Sequence, residues 1–245
     1  MSENISYFDA LRAVLSEIEQ TQQQAMDTAA QAIADCFANG GMLYTFGTGH
    51  SSLLAMEVFY RAGGFVRVCP LFEDDLLLHI SASGSTEVER KEGIGRKLIE
   101  KSNCAQGDVV MVFSNSGRNC VPVELALAAK SRGATVIALT NLRHSNATSP
   151  RNPYGLRLFE AADIVLDNCG TIGDAALDQK ELALRFAPTS TAAGTAILWE
   201  IVRRTINKLV QTGLMPEVFM SSNLDGGDAF NAKLIEKYKS IVPSL

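Results

Sequence analysis

In the stretch Val109-Val110-Met111-Val112-Phe113-Ser114-Asn115-Ser116-Gly117-Arg118-Asn119, a buried-strand composition gives way abruptly to hydroxyl, amide and glycine residues. A helix-like segment follows. Ligands of open parallel sheets sit at the carboxyl ends of strands, and free N–H groups at a following helix start attract anions. Ser114 and Ser116 add hydroxyl donors, Asn115 and Asn119 add amides, and Gly117 lets the backbone approach an anion closely. Residues 114–119 therefore read as a phosphate cradle.

Two further loops have the same character. In Phe46-Gly47-Thr48-Gly49-His50-Ser51-Ser52 the glycines allow a sharp strand-to-helix turn, and the Ser51 hydroxyl either caps the helix or faces a ligand beside Thr48 and Gly49. Thr189-Ser190-Thr191 follows Pro188 with more hydroxyls than one helix cap requires. Taken singly, each loop is explained by capping and turn chemistry. Taken together, they read as one polar pocket for a phosphorylated polyol. A dinucleotide site is disfavoured, because Ser52 stands where the third glycine of G-x-G-x-x-G belongs and Arg67 where an acid is wanted. No Walker A sequence is present.

Proton transfer on such a substrate needs a carboxylate or histidine as base. Glu57 follows the first loop by about two helical turns; its alternative is an i,i+4 ion pair with Arg61. His50 lies inside the first loop, as a ligand contact or as an exposed turn residue. Glu200 sits in an apolar helix beside Trp199, where burial would raise its pKa unless Arg203 or Arg204 pairs with it. His79 reads as a partly buried polar residue or a lid group, and His144 as a rim residue. No spacing demands a metal, and neither metal nor cofactor is expected.

The elements that must position these groups follow from periodicity. Phe8, Leu11, Leu15, Ile18, Ala25, Ala29, Ile33 and Phe37 mark one N-terminal helix over residues 7–38. Apolar runs at 42–46, 65–69, 109–113, 135–139 and 163–166 lack polar alternation, as parallel strands buried on both faces do. A helix over 121–132 separates the third and fourth, and this rhythm indicates a doubly wound α/β sheet. Residues 73–106 form an insertion ending in a charged helical stretch, 86–101. A long apolar helix over 189–210, a loop over 216–230 and a short helix ending near Lys239 close the chain. The expectation is one domain over 1–245: a three-layer αβα arrangement with a five-stranded parallel sheet and extra N- and C-terminal helices.

The chain has 245 residues and a net charge of −5, which argues against an extended nucleic-acid surface. Five widely spaced cysteines contain no C-x-x-C pair. The first residues, Met1-Ser2-Glu3-Asn4, do not read as a signal peptide and no apolar run reaches membrane length, so neither a leader nor a membrane span is expected. A cytoplasmic protein with reduced thiols is expected, and the long first helix and the insertion suggest a homo-oligomer.

The pairing of Gly47-Thr48-Gly49-His50-Ser51 with Ser114-Asn115-Ser116-Gly117, on this strand rhythm, resembles the sugar isomerase (SIS) domain family. The resemblance spans roughly residues 42–210 and points to a bacterial phosphosugar-binding branch related to phosphoheptose isomerases. It implies that Ser114, Asn115, Ser116 and Gly117 hold the phosphate, that Ser51 touches phosphate or sugar, and that Asn119 replaces a hydroxyl found in many members. Phosphoheptose isomerases use a Glu on the helix after the first loop and a His on the late helix. Here Arg61 occupies the region of that Glu, Glu57 lies one turn earlier, and the late helix has no histidine. The expected activity is phosphosugar isomerisation, with amino-sugar deamination, ether lysis or non-catalytic sensing as alternatives on the same fold.

Overall fold

The apolar runs pair into one parallel sheet: β1 (Leu43–Gly47), β2 (Val68–Pro70), β3 (Val109–Phe113), β4 (Thr135–Thr140) and β5 (Ile164–Asp167), in the order β2-β1-β3-β4-β5. These assignments come from a computed structural model that describes residues 5–245. The register runs from Leu43 opposite Val109 to Gly47 opposite Phe113, and from Val109 opposite Thr135 to Phe113 opposite Leu139. Residues alternate between the two faces of the sheet. Val109, Met111 and Phe113 enter one core, and Val110 and Val112 the other.

The helices are α1 (Tyr7–Thr21), α2 (Gln23–Ala38), α3 (Ser52–Glu57), α4 (Ala82–Val88), α5 (Ile94–Lys101), α6 (Cys120–Ser131), α7 (Leu142–Asn146), α8 (Leu158–Ala161), α9 (Ser190–Gln211) and α10 (Gly227–Tyr238). The first core joins α1, α2, α3 and α9 to the sheet; the second joins α5, α6, α8 and α10. This is the three-layer αβα arrangement, with extra helices at both ends. The chain leaves β1 toward β2 on one side and resumes from β3 toward β5 on the other. The β1 and β3 loops therefore flank the crevice where strand order reverses, the usual ligand position in such sheets.

Several elements differ from the sequence expectation. The helix over 7–38 divides at Gln22, whose side-chain oxygen accepts from the Asp167 N–H at the end of β5 (3.0 Å). Phe8, assigned to the buried stripe, is 69% exposed. The second strand is 68–70 rather than 65–69, because residues 64–66 pair with the C-terminal segment instead. Val66 N–H donates to Glu217 O (3.1 Å), and Phe219 N–H to Gly64 O (3.0 Å). The charged stretch 86–101 is two helices, α4 and α5, parted near Gly93, whose φ of +88° breaks the run. Buried Glu124 on α6 caps α5 from outside, accepting from the N–H groups of Gly93 and Gly95 (2.9 Å each) and from the Tyr154 hydroxyl. An antiparallel hairpin, β6 (Ala175–Leu177) with β7 (Phe186–Pro188), was not foreseen. Among the described residues no helix is long and apolar enough to cross a membrane.

Candidate functional site

Between the carboxyl ends of β1 and β3 lies an open cleft of about 260 Å³, lined by Thr48, Gly49, His50, Ser51, Glu89, Ser114, Asn115, Ser116, His144, Gly173 and Asp174. Its floor is the loop after β3. Ser114 N–H still bonds Leu139 O (3.1 Å), so the sheet ladder holds the loop's first residue. Asn115 is pinned three times, by its carbonyl accepting from Asn141 N–H (3.1 Å) and the Thr140 hydroxyl (3.2 Å) and by its side-chain oxygen accepting from Asn168 (2.8 Å). Gly117 adopts φ +59°, and an added Cβ would meet Leu158 Cβ and Ser145 Oγ at 3.2 Å and Thr140 Oγ1 at 3.3 Å. Its N–H donates to Ser114 Oγ (3.2 Å), which leaves the serine's own proton to donate. The backbone N–H groups of Asn115 and Ser116 have no hydrogen-bond partner among the described residues. The result is a rigid concave row of donors.

The β1 loop supplies the opposite wall. A single 3-10 turn, Gly49–Ser51, leads into α3, and the Ser51 hydroxyl makes no cap bond there, so it is not spent on turn chemistry. Thr48 Oγ1 donates to Glu89 Oε1 (2.8 Å). Glu89, just past α4 in the insertion, was not singled out in the sequence. Burial pushes its carboxyl above the usual carboxylate range, against the opposing hydrogen bonds from Thr48 and Asn119 and the charges of Arg90 and Arg151. His144 completes this side. Its Nδ1 accepts from Gly173 N–H (2.8 Å), which places the ring proton on Nε2 in the neutral form.

The other proposed residues are placed differently. Glu57 does not line the cleft: it accepts from Trp199 Nε1 (2.9 Å) and pairs with Arg61 (3.0 Å), tying α3 to α9. Glu200 also lies elsewhere. Hydrogen bonds from Arg203, then Arg204, hold its carboxyl down at about 2 despite partial burial, the reverse of the raised value a buried base would show. The third loop approaches the cleft only through a neighbour. Asp174, at φ +70°, accepts from the N–H groups of Thr189 (3.2 Å) and Ser190 (3.0 Å) and from the Ser190 hydroxyl (2.5 Å). Thr189 Oγ1 is buried without a partner, and Thr191 is exposed on the first turn of α9. Thr189, Ser190 and Thr191 thus stand behind Asp174 rather than on the cleft wall. Asn119 does not line the cleft either and reaches only Glu89. Among the described residues no three His, Cys, Asp or Glu side chains gather as metal ligands.

A model of the SIS domain matches residues 6–141, more than half of the sequence. The chain belongs to the SIS domain family. A UPF0309 protein of Geobacillus thermodenitrificans is 40% identical to this SIS protein over 239 residues, 98% of this chain and 96% of that one. A UPF0309 protein of Listeria monocytogenes is 37% identical over 240 residues, 98% and 97% of the two chains. The fold is shared with a phosphoheptose isomerase from Francisella tularensis (TM-score 0.53, 16% identity, 82% of this chain and 95% of that chain). It is shared also with the Vibrio vulnificus NanR protein complexed with ManNAc-6P (TM-score 0.53, 14% identity, 98% and 68%).

Proposed function

We propose that the cleft binds a phosphorylated sugar and interconverts its aldose and ketose forms by proton transfer. The observation that carries this reading is that one crevice combines a rigid row of anion donors with the desolvated carboxylate of Glu89. The phosphate rests on Ser114, Ser116, the free N–H groups of Asn115 and Ser116, and Ser51. Backbone donors fixed in this way favour a charged oxygen without reorganising. The open-chain sugar then extends past Glu89. Glu89 removes the proton from C2 while the carbonyl oxygen at C1 takes a proton from His144 Nε2–H or His50, giving the enediol. Return of the carbon-bound proton from Glu89 to C1, with loss of the O2 proton to the same histidine, gives the ketose. Burial raises the basicity of Glu89, which suits it to abstract a weakly acidic carbon-bound proton. The family assignment, and the phosphosugar names carried by proteins of the same fold, support this reading.

The test is a thermal-shift screen of hexose, heptose and amino-sugar phosphates, followed by proton exchange at C2 of any stabilising compound in heavy water. Glu89→Gln is expected to cut exchange and turnover by about 10²–10⁴-fold with little change in affinity, the pattern of a group acting mainly in the transition state. Undiminished exchange in that variant would remove Glu89 from the chemistry. Equal affinity for a sugar and its phosphate would remove the cradle.

A further inference from the structure

Beside the cleft, three arginines are gathered around Glu89, none of them within ion-pair distance of a carboxylate among the described residues. Arg118 leaves the anion loop, Arg90 follows Glu89, and Arg151 lies on the strand-like segment paired with Asn119. The backbone fixes the grouping: Arg151 N–H donates to Arg118 O (2.7 Å), Asn152 Nδ2 donates to the same carbonyl (3.0 Å), and Val121 N–H donates to Glu89 O (3.1 Å). Arg61, Arg143, Arg157, Arg203 and Arg204 each form an ion pair with a carboxylate. Among the described residues Arg90, Arg118 and Arg151 form none; Arg132 and Arg185 form none either, but their guanidinium groups donate to backbone carbonyls. The neighbouring positive charges, Arg118 first and Arg90 next, hold the Arg151 guanidinium below its usual range, and Glu89 pulls weakly the other way. Two polar atoms in the same place, Arg118 Nε and Asn119 Oδ1, are buried with no hydrogen-bond partner. Like charges brought together by backbone bonds, next to an unsatisfied buried donor, are the arrangement that a bound anion relieves. Guanidinium groups suit carboxylate and phosphate in particular, because they bind both in bidentate fashion.

We infer that this arginine cluster receives a second anionic group on the phosphosugar, a carboxylate or a further phosphate, so that the substrate class is a doubly anionic sugar phosphate. The inference rests on the phosphosugar reading of the cleft. The first anion sits on the Ser114–Gly117 loop, and the second lies past Glu89, against Arg90, Arg118 and Arg151. Glu89 then stands between two anions, over the carbon chain that joins them.

Isothermal titration with glucose 6-phosphate, 6-phosphogluconate and fructose 1,6-bisphosphate tests this on the wild type, Arg151→Gln, Arg90→Gln and Ser116→Ala. The wild type is expected to bind at least one doubly anionic compound at least about tenfold more tightly than glucose 6-phosphate. Preference for 6-phosphogluconate identifies a carboxylate, and preference for the bisphosphate a second phosphate. Either arginine substitution is expected to collapse the preference to within about twofold. Both side chains are exposed, so folding is not at stake. Equal affinity of the wild type for all three compounds would overturn the inference and leave the phosphosugar reading standing. So would an Arg151→Gln variant that weakens glucose 6-phosphate as much as the doubly anionic compounds. If no compound binds, or Ser116→Ala alters none of them, the cradle itself fails and this inference with it.

Discussion

Gly117→Ala tests whether the anion loop is held as tightly as the geometry indicates. At φ +59° an alanine enters the left-handed region, which costs about 1–2 kcal/mol for a side chain with a Cβ. The new methyl would also be pressed against Leu158 Cβ, Ser145 Oγ and Thr140 Oγ1 at 3.2–3.3 Å. Overpacking a filled site by one methyl adds about 1 kcal/mol, for about 2–3 kcal/mol together. In a chain of this size that lowers Tm by about 4–12 °C. Gly155→Ala is the control: its φ is +67°, but nothing lies within 4 Å of the added Cβ. It shares the backbone cost and the stiffening of the unfolded chain, and lacks the contact. Denaturant unfolding of both variants therefore isolates the packing contribution as their difference, about 1 kcal/mol. Phosphosugar affinity should fall in Gly117→Ala and hold in Gly155→Ala. A Gly117 variant no less stable than the Gly155 variant would refute the rigid cradle.

Three other expectations can be checked directly. The Glu89 carboxyl is raised in the fold, so its ionised form opposes folding above that raised value, and the opposition disappears below the ordinary 4.5. Glu89→Gln should accordingly exceed the wild type in Tm at pH 8, with the gap narrowing as pH falls through the raised value and gone below 4.5; a gap independent of pH would contradict the burial argument. Glu200 is the opposite case. Its carboxyl is held down at about 2, so its stabilising contribution is complete above 4.5 and fades as pH falls toward 2. Because the pair with Arg203 and Arg204 is partly exposed, Glu200→Gln should cost only about 1 kcal/mol near neutrality, seen in urea unfolding, and leave turnover intact. Finally, burial pushes the thiols of Cys36 and Cys104 up to about 12 and those of Cys69, Cys120 and Cys169 to about 11. A disulfide reagent at pH 8 should modify none of them before the chain is unfolded, and rapid labelling of the native protein would show that the cores open.

The strands and the two glycine-serine loops were legible because their signals are local. An apolar run that ends in small polar residues marks a strand end whatever packs around it. Glu89 had no such mark. It sits among Glu87, Arg90, Lys91 and Glu92, which read as a solvated charged face, and only its tertiary contact with Thr48 sets it apart. Glu57 and Glu200 looked suitable because each lay near an expected ligand edge or an apolar surround; the arginine one turn away took up each of them. The break at Gln22 was equally hidden, since glutamine is a good helix former and the interruption comes from a bond to β5 made only in the folded chain. In the third loop the hydroxyl count was informative, but their partner, Asp174, lies 15 residues or more before them.

Two helices owe their first turns to carboxylates borrowed from elsewhere in the chain: α5 to Glu124 and α9 to Asp174. A helix with its own cap residue can fray alone. These two cannot loosen without also undoing a long-range junction, in one case to α6 and in the other to the hairpin beside the cleft. Because Asp174 both borders the crevice and caps the α9 start, a ligand that steadies Asp174 is expected to steady the long helix behind it.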